Sequence, residues 1–197
     1  MNHNSTRNTN LVLVALGANL PSSVGAPGDS LKFALNKVLN LPQVVPVSIS
    51  RFWQTPAVPS GSGPDYVNAA MAFHCPLPPD ELLAHLHGIE AELGRTRDGG
   101  RWQARGIDLD LIAVGDMVLP DAAGQDEWRS LPPAEQPLRA PDRLILPHPR
   151  LQDRGFVLVP LAEVAPDWMH PRLRLTVAQM LAALPPGALR GMVPASS

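Results

Sequence analysis

Six short periodic segments, in the order strand, helix, strand, strand, helix, strand, constrain this chain more than any other feature of its sequence. Residues 11–16 (LVLVAL) form a continuous apolar run halted by Gly17, which suits a buried strand. Asp29 or Ser30 can cap a helix whose apolar face is Leu31, Ala34, Leu35, Val38 and Leu39, at i, i+3, i+4, i+7 and i+8. Val45, Val47 and Ile49 then alternate with polar or small residues as a second strand, and Pro46, lacking an N–H, pushes it toward a sheet edge or a bulge. Residues 67–75 read as a third strand. Pro79 and Asp80 open a second helix with Leu83, Leu86, Glu90 and Leu93 on one stripe and Gly94 just past its end. Residues 107–114 (IDLDLIAV) make the fourth strand.

This order is that of a split βαβ unit. The expected fold is therefore α+β: a ferredoxin-like βαββαβ core extended by C-terminal helices over 156–164 and 176–184 that cover a face of the sheet. One domain is expected over 11–184, between an extended or disordered tail at 1–10 and a C-terminal tail at 185–197. Residues 121–142, rich in proline and acidic side chains, read as an irregular surface excursion. Proline, 23 of 197 residues, concentrates in such connections and stiffens them.

Composition narrows the function classes. Hydrophobic residues are 45% of the chain, enough for a core, yet no apolar run reaches the roughly 20 residues a membrane helix needs. The polar start lacks a signal-peptide centre, so a cytoplasmic protein is expected. Cys75 stands alone and reads as a buried strand residue. The formal net charge of −2 and an aromatic content of 5% argue against a nucleic-acid-binding sheet. Charge is nevertheless uneven: 14 of the 16 basic residues are arginine, and Arg95, Arg97, Arg101 and Arg105 fall within 11 residues.

Those arginines lead into Asp108 and Asp110. Alternation along a strand sends both carboxylates to one face, roughly 6–7 Å apart at Cα, with Ile107, Leu109 and Leu111 on the other. Such a pair either forms a solvated face matched by the nearby arginines or holds hard divalent ions shared with phosphate oxygens. The arginines, on a loop containing Gly99 and Gly100, offer the forked donors that suit phosphate. A third cluster joins His148 to Arg154 at a loop-to-helix junction, either structural or part of an anion site. A fourth, Thr55, Pro56 and Val58 followed by Tyr66 and Asn68, is either a turn into a strand or a seat for a flat heteroaromatic ring.

Taken together, LVALGANL (13–20), RFWQTPAVP and PDYVNAA (51–70), the stretch from ELLAHLHGIE to GRTRDGGRWQARGIDLDLIAVG (81–115) and RLILPHPRLQDRGFVLVPLAEVAP (143–166) resemble the 6-hydroxymethyl-7,8-dihydropterin pyrophosphokinases. The resemblance implies transfer of the β,γ-pyrophosphoryl group of ATP to the pterin hydroxymethyl oxygen with release of AMP, a step in folate biosynthesis. It implies two Mg²⁺ ions on Asp108 and Asp110. Arg95, Arg105, His148 and Arg154 match the triphosphate-contacting positions, and Arg97 and Arg101, with Trp102, fall on a mobile catalytic loop. The pterin is expected between Tyr66 and Phe156, read by Asn68 and the backbone around Thr55, Pro56, Ala57 and Val58. Adenine is expected on backbone groups near Leu111 and Ile145. Glu90 matches a family acid whose role the resemblance leaves open, and a monomer is the family default.

The sequence departs from the family pattern at Asp98, His87, Gly88 and Pro149, and 121–142 is longer than the turn expected there. That stretch is expected to be a surface insertion without a role, the alternative being a flap near the ATP side.

Overall fold

The computed structural model describes residues 9–57, 63–94, 106–132, 134–136 and 138–195. The elements run β1 (Asn10–Ala18), α1 (Pro27–Leu39), β2 (Val45–Ile49), β3 (Trp53–Thr55), β4 (Tyr66–Cys75), α2 (Pro79–Glu92), β5 (Asp108–Val114), α3 (Ala122–Arg129), α4 (Gly155–Val164), α5 (Val177–Ala182) and β6 (Val193–Pro194), with a 3₁₀ turn at Leu151–Asp153 before α4. β1 is the spine: the sheet runs β5-β1-β4-β3-β6, with β2 also on β4, and every pairing is antiparallel. The expected ferredoxin-like core is present, because β4 inserts between β1 and the β2–β3 pair while β5 returns to the other side of β1.

Alternation along β1 divides the core. Val12, Val14, Leu16 and Ala18 pack under α1 and α2, while Leu13 and Ala15 pack under α4 and α5. A strand buried on both faces must be apolar at every position, which is what the run at 11–16 encodes. β2, mostly exposed, sits on β4 with a bulge between Pro46 and Ser48, so its proline marks both an edge and an irregularity. A second bulge interrupts β1 against β5: Val14 faces Leu111 but Leu13 faces Ala113, and Ile112 and Ala113 consequently both pack under α4 and α5.

Several boundaries move relative to the sequence reading. α1 begins at Pro27, which fits the first helical turn because it has no N–H to satisfy, and Asp29 accepts the Ala26 N–H at 3.2 Å from inside the helix instead of preceding it. In α2 it is Leu82, Leu86, Ile89, Glu90 and Leu93 that are buried; Leu83 is half-buried at its margin. Residues 121–142 are not wholly irregular, since Asp121 accepts the Gly124 N–H and starts α3. Residues 185–197, read as a tail, supply β6, whose Val193 pairs with Gln54 of β3. Cys75 is buried in β4 as expected.

The turn after α4 holds a wholly buried histidine. His170 Nδ1 accepts the N–H groups of Arg172 and Leu173 at 3.1 and 3.2 Å, which leaves its proton on Nε2. Burial, then the positive charge of Arg129, lowers its pKa to about 4. An unfolded histidine binds its proton near pH 6.5, so the stability His170 contributes is complete above about pH 6.5 and is lost as pH falls toward 4. His170→Asn keeps an acceptor for the two N–H groups and does not titrate. Its urea midpoints are expected to fall less steeply than those of the parent between pH 6.5 and 4, by up to one proton, or about 1.4 kcal/mol per pH unit. Parallel curves would assign the slope to other groups.

Candidate active site

Asp108 and Asp110, singled out by sequence, lie where β5 meets β1. The cross-strand register sets Asp108 opposite Gly17, Gly17 opposite Asn68, and Asn68 opposite Trp53, so one row crosses four strands. Two residues along, Asp110 lies opposite Ala15. Paired residues and their i+2 neighbours share a face, so Asp108, Asp110 and Asn68 lie on the side covered by α4 and α5. Gly17 is needed for space: a Cβ there would lie 2.7 Å from Asn68 Oδ1. Asn68 cannot simply swing away, because it is buried and donates through Nδ2 to Thr55 Oγ1 at 2.7 Å. Thr55 is in turn paired with Tyr66 across β3 and β4.

β5 ends the sheet, and among the described residues its outer edge is met by Glu90 and by His148. The Leu109 N–H donates to Glu90 Oε1 at 2.8 Å, and the Ile112 carbonyl accepts the His148 N–H at 2.8 Å. The first bond gives the buried Glu90 a role that the sequence left open: α2 uses it to hold the backbone between the two aspartates. Spacing alone could not reveal this, because an acid on an apolar stripe does not announce which N–H it will meet. Glu90→Ala strands a buried N–H, a loss of about 1–3 kcal/mol. Its melting temperature is expected to drop accordingly, and Glu90→Gln, which retains an acceptor oxygen, to recover most of the difference. Equal melting temperatures for the two variants would show that the carbonyl-type oxygen is not what matters.

His148 lines the cleft that opens beside β5. Its Nδ1 accepts the Arg150 N–H at 3.1 Å, so the neutral ring carries its proton on Nε2 and offers a donor. Burial, then the adjacent Arg154 charge, lowers its pKa to about 3, with Asp108 opposing. His148 is therefore an uncharged donor at neutral pH. Arg154 Nη1 is 3.6 Å from Asp110 Oδ2, and its guanidinium sits 5.7 Å from the centroid of Phe156 at the start of α4. Asp108, Asp110 and Leu111 of β5 share one cavity of about 570 Å³ with Ile145, His148 and Arg154, a volume in the range of small-molecule sites.

Two hard carboxylates on one strand face are a donor set that fits a divalent ion such as Mg²⁺, which takes one or two carboxylates and fills its remaining positions with water or phosphate oxygens, while Arg154, 3.6 Å from Asp110, is a neighbouring cation and not a ligand. Among the described residues no group of three or more His, Cys, Asp or Glu side chains is arranged to enclose a metal by itself. The donor set thus suits an ion completed by its substrate better than a closed structural site.

The sequence-assigned residues do not all meet in that cavity. Tyr66, Asn68, Thr55 and Pro56 lie along the β3–β4 end, and Phe156 lies beside Arg154; none of the five lines the cavity that holds the carboxylates. Val58, Arg95, Arg97, Arg101 and Arg105 lie outside the described residues. Sequence reasoning missed Glu90's bond and, more importantly, a wall of the cleft. Trp128, Leu131, Gln136 and Arg139, all from the 121–142 stretch, line it, so the stretch borders the cleft, in keeping with the alternative of a flap near the ATP side.

Comparison with known proteins bears on the same residues. The family model described as 7,8-dihydro-6-hydroxymethylpterin-pyrophosphokinase matches 13–166. A 2-amino-4-hydroxy-6-hydroxymethyldihydropteridine pyrophosphokinase from Synechocystis is 36% identical over 169 residues, covering 86% of this chain and 73% of its own. The protein of the same name from Pseudomonas aeruginosa is 35% identical over 174 residues, covering 88% and 91%. Among solved structures, wild-type Plasmodium falciparum HPPK-DHPS superposes with a TM-score of 0.61 at 14% identity, covering 89% of this chain. This chain spans 44% of that longer fused one, so that likeness concerns the fold alone.

Proposed function

The chain belongs to the 7,8-dihydro-6-hydroxymethylpterin-pyrophosphokinase family, and from that premise we propose that it transfers the β,γ-pyrophosphoryl group of ATP to 6-hydroxymethyl-7,8-dihydropterin. The observation that carries the reading is the row Asp108, Gly17, Asn68, which joins a carboxylate pair to a hydrogen-bonding amide across a single bare glycine. Two strand spacings separate the ends of that row, roughly 10 Å. A pterin read by Asn68 therefore directs its hydroxymethyl arm toward phosphates gathered at Asp108 and Asp110.

In the reaction the hydroxymethyl oxygen gives up its proton, with Asp110 or Asp108 as the acceptor, and forms a bond to the β-phosphorus, while the bond from that phosphorus to the α,β-bridging oxygen breaks and AMP leaves. Asp108 and Asp110 would hold Mg²⁺. When bound, that ion neutralises phosphate charge and lowers the pKa of the attacking hydroxyl. The chain's own residues do the positioning. Glu90 fixes the β5 backbone at Leu109, and Arg154 adds a positive charge beside Asp110. His148, its Nδ1 occupied by the Arg150 N–H, presents Nε2–H as a donor suited to a phosphate oxygen. Tyr66 and Phe156 are the stacking surfaces for the pterin, Asn68 and the backbone at Thr55, Pro56 and Val58 read its edge, and, of the arginines outside the described residues, Arg95 and Arg105 are assigned to the triphosphate and Arg97 and Arg101 to catalysis. Leu111 and Ile145 stand at the adenine end.

The reading is tested by product analysis with ATP, Mg²⁺ and the hydroxymethyl pterin, omitting each in turn. AMP formed only in the complete mixture is the expected result. ADP, or AMP without pterin dependence, would assign the scaffold to a different phosphoryl transfer.

A further inference from the structure

We propose that Trp128, presented by α3 and the segment that follows it, contacts the purine base of ATP and that this segment is the outer wall of the nucleotide subsite. The proposal rests on the pyrophosphokinase reading for the identity of the nucleotide. It starts from a shortage of surface. Leu111 and Ile145, expected at the adenine end, are 3% and 4% exposed, so their side chains offer a base almost no area to lie against. Asp108, Asp110, His148 and Arg154 give the cleft polar and charged groups, which suit the triphosphate. Of the half-buried apolar side chains that line the cleft among the described residues, Leu83, Trp128 and Leu144, Trp128 alone presents a flat aromatic surface.

The ring is fixed in place. The Arg139 guanidinium sits 5.0 Å from its centroid and so occupies one face, while Glu127 binds Arg139 at 2.9 Å and Glu135 approaches it at 3.9 Å. The excess charge of Arg139 is thereby largely matched, and the pair serves as a flat, braced surface. With one face taken, a base entering the cleft meets the rest of the indole.

The wall is also anchored to the catalytic side. Gln125, fully buried on α3, donates through Nε2 to the Pro147 carbonyl at 3.2 Å, the residue immediately before His148. On the other side of the helix Asp126 accepts from Arg129 at 2.8 Å and from Arg172 at 2.5 Å, and these two arginines hold its carboxyl well below the usual carboxylate range. Gln136 donates to the Leu131 carbonyl at 2.9 Å and braces the turn after the helix. A surface excursion without a role would not need a buried glutamine bonded next to a phosphate-facing histidine.

The test uses the full chain with Trp128→Ala and Trp128→Phe. At saturating pterin and Mg²⁺, Trp128→Ala is expected to raise KM for ATP about tenfold, as for the loss of one aromatic stacking contact, with kcat and the pterin KM within twofold. Trp128→Phe is expected to stay within about threefold of the parent. The preference for ATP over CTP, measured as a ratio of kcat/KM values, is expected to fall in Trp128→Ala, which a purely structural role would not produce. An unchanged ATP KM and an unchanged ATP-to-CTP ratio would overturn the proposal, as would equal losses against both nucleotides accompanied by a lowered melting temperature in both variants. Equilibrium titration with α,β-methylene ATP separates this outcome from a failure of the pyrophosphokinase reading. If the parent forms no pterin-dependent AMP, weaker analogue binding by Trp128→Ala still supports the wall, and equal binding rejects it.

Discussion

Asp110→Asn is expected to lower kcat on the order of a thousandfold, and Asp108→Asn by a similar factor, with little change in melting temperature. The substitution keeps shape and hydrogen-bonding atoms but removes the charge that a hard cation needs, and charge stabilisation by such an ion supplies several kcal/mol to phosphoryl transfer. Asp110 has an additional reason to be sensitive. Its carboxylate lies 3.6 Å from Arg154, so neutralising it also frees that guanidinium to re-pair elsewhere in the cleft. The measurement is steady-state AMP release across a Mg²⁺ series; an amide ligand still binds a cation weakly, so partial recovery at high Mg²⁺ is expected. Turnover within threefold of the parent at ordinary Mg²⁺ would remove that carboxylate from the mechanism.

The second large effect is expected at Gly17. Its Cβ, were it present, would be 2.7 Å from Asn68 Oδ1, and Asn68 is buried and bonded to Thr55 at 2.7 Å. Relief requires either breaking that bond or separating β1 from β4. An unsatisfied buried amide costs about 1–3 kcal/mol, so Gly17→Ala is expected to reduce kcat/KM for the pterin on the order of tenfold to a hundredfold. Gly17→Val, which adds branching in the same space, is expected to abolish turnover. The selective readout is the substrate dependence: ATP-analogue affinity should hold in Gly17→Ala while the pterin term falls. If both affinities fell together with the melting temperature, the glycine would be serving strand packing and not the site.

Much of this is legible in the sequence itself. An apolar run with no polar interruption, such as 11–16, has to be covered on both faces, and β1 is. Alternation placed Asp108 and Asp110 on one face, because a strand leaves no other arrangement. What escaped the sequence was whatever depends on a partner far along the chain. β3 and β6 are three and two residues long, too short for any periodicity, and are set by pairing, β3 on β4 and β6 on β3. α3 is polar, glycine-containing and only eight residues long. Its helix is stabilised by an Asp121 cap and by ties to Pro147 and Arg172, which lie 22 and 46 residues away. Glu90 was visible as a candidate but its bond to Leu109 was not, since a side chain's target on another element follows from packing and not from spacing. Leu111 and Ile145, expected at the adenine end, do line the cleft, but both side chains are buried, and the proposed contact surface for the base is instead Trp128.

The bulge between Leu13 and Val14 has a consequence for how β5 can vary. Up to Leu111 the strand keeps strict parity, acids to one side and leucines to the other; at Ile112 and Ala113 two neighbours turn to the same side and the parity resets. The irregularity acts as a phase joint between a chemical half and a scaffolding half of one strand. Changes of side-chain size beyond Ile112 can be absorbed by repacking against α4 and α5 without rotating the carboxylates. A single-residue deletion before it has no such buffer and would exchange Asp110 for a leucine in the cleft.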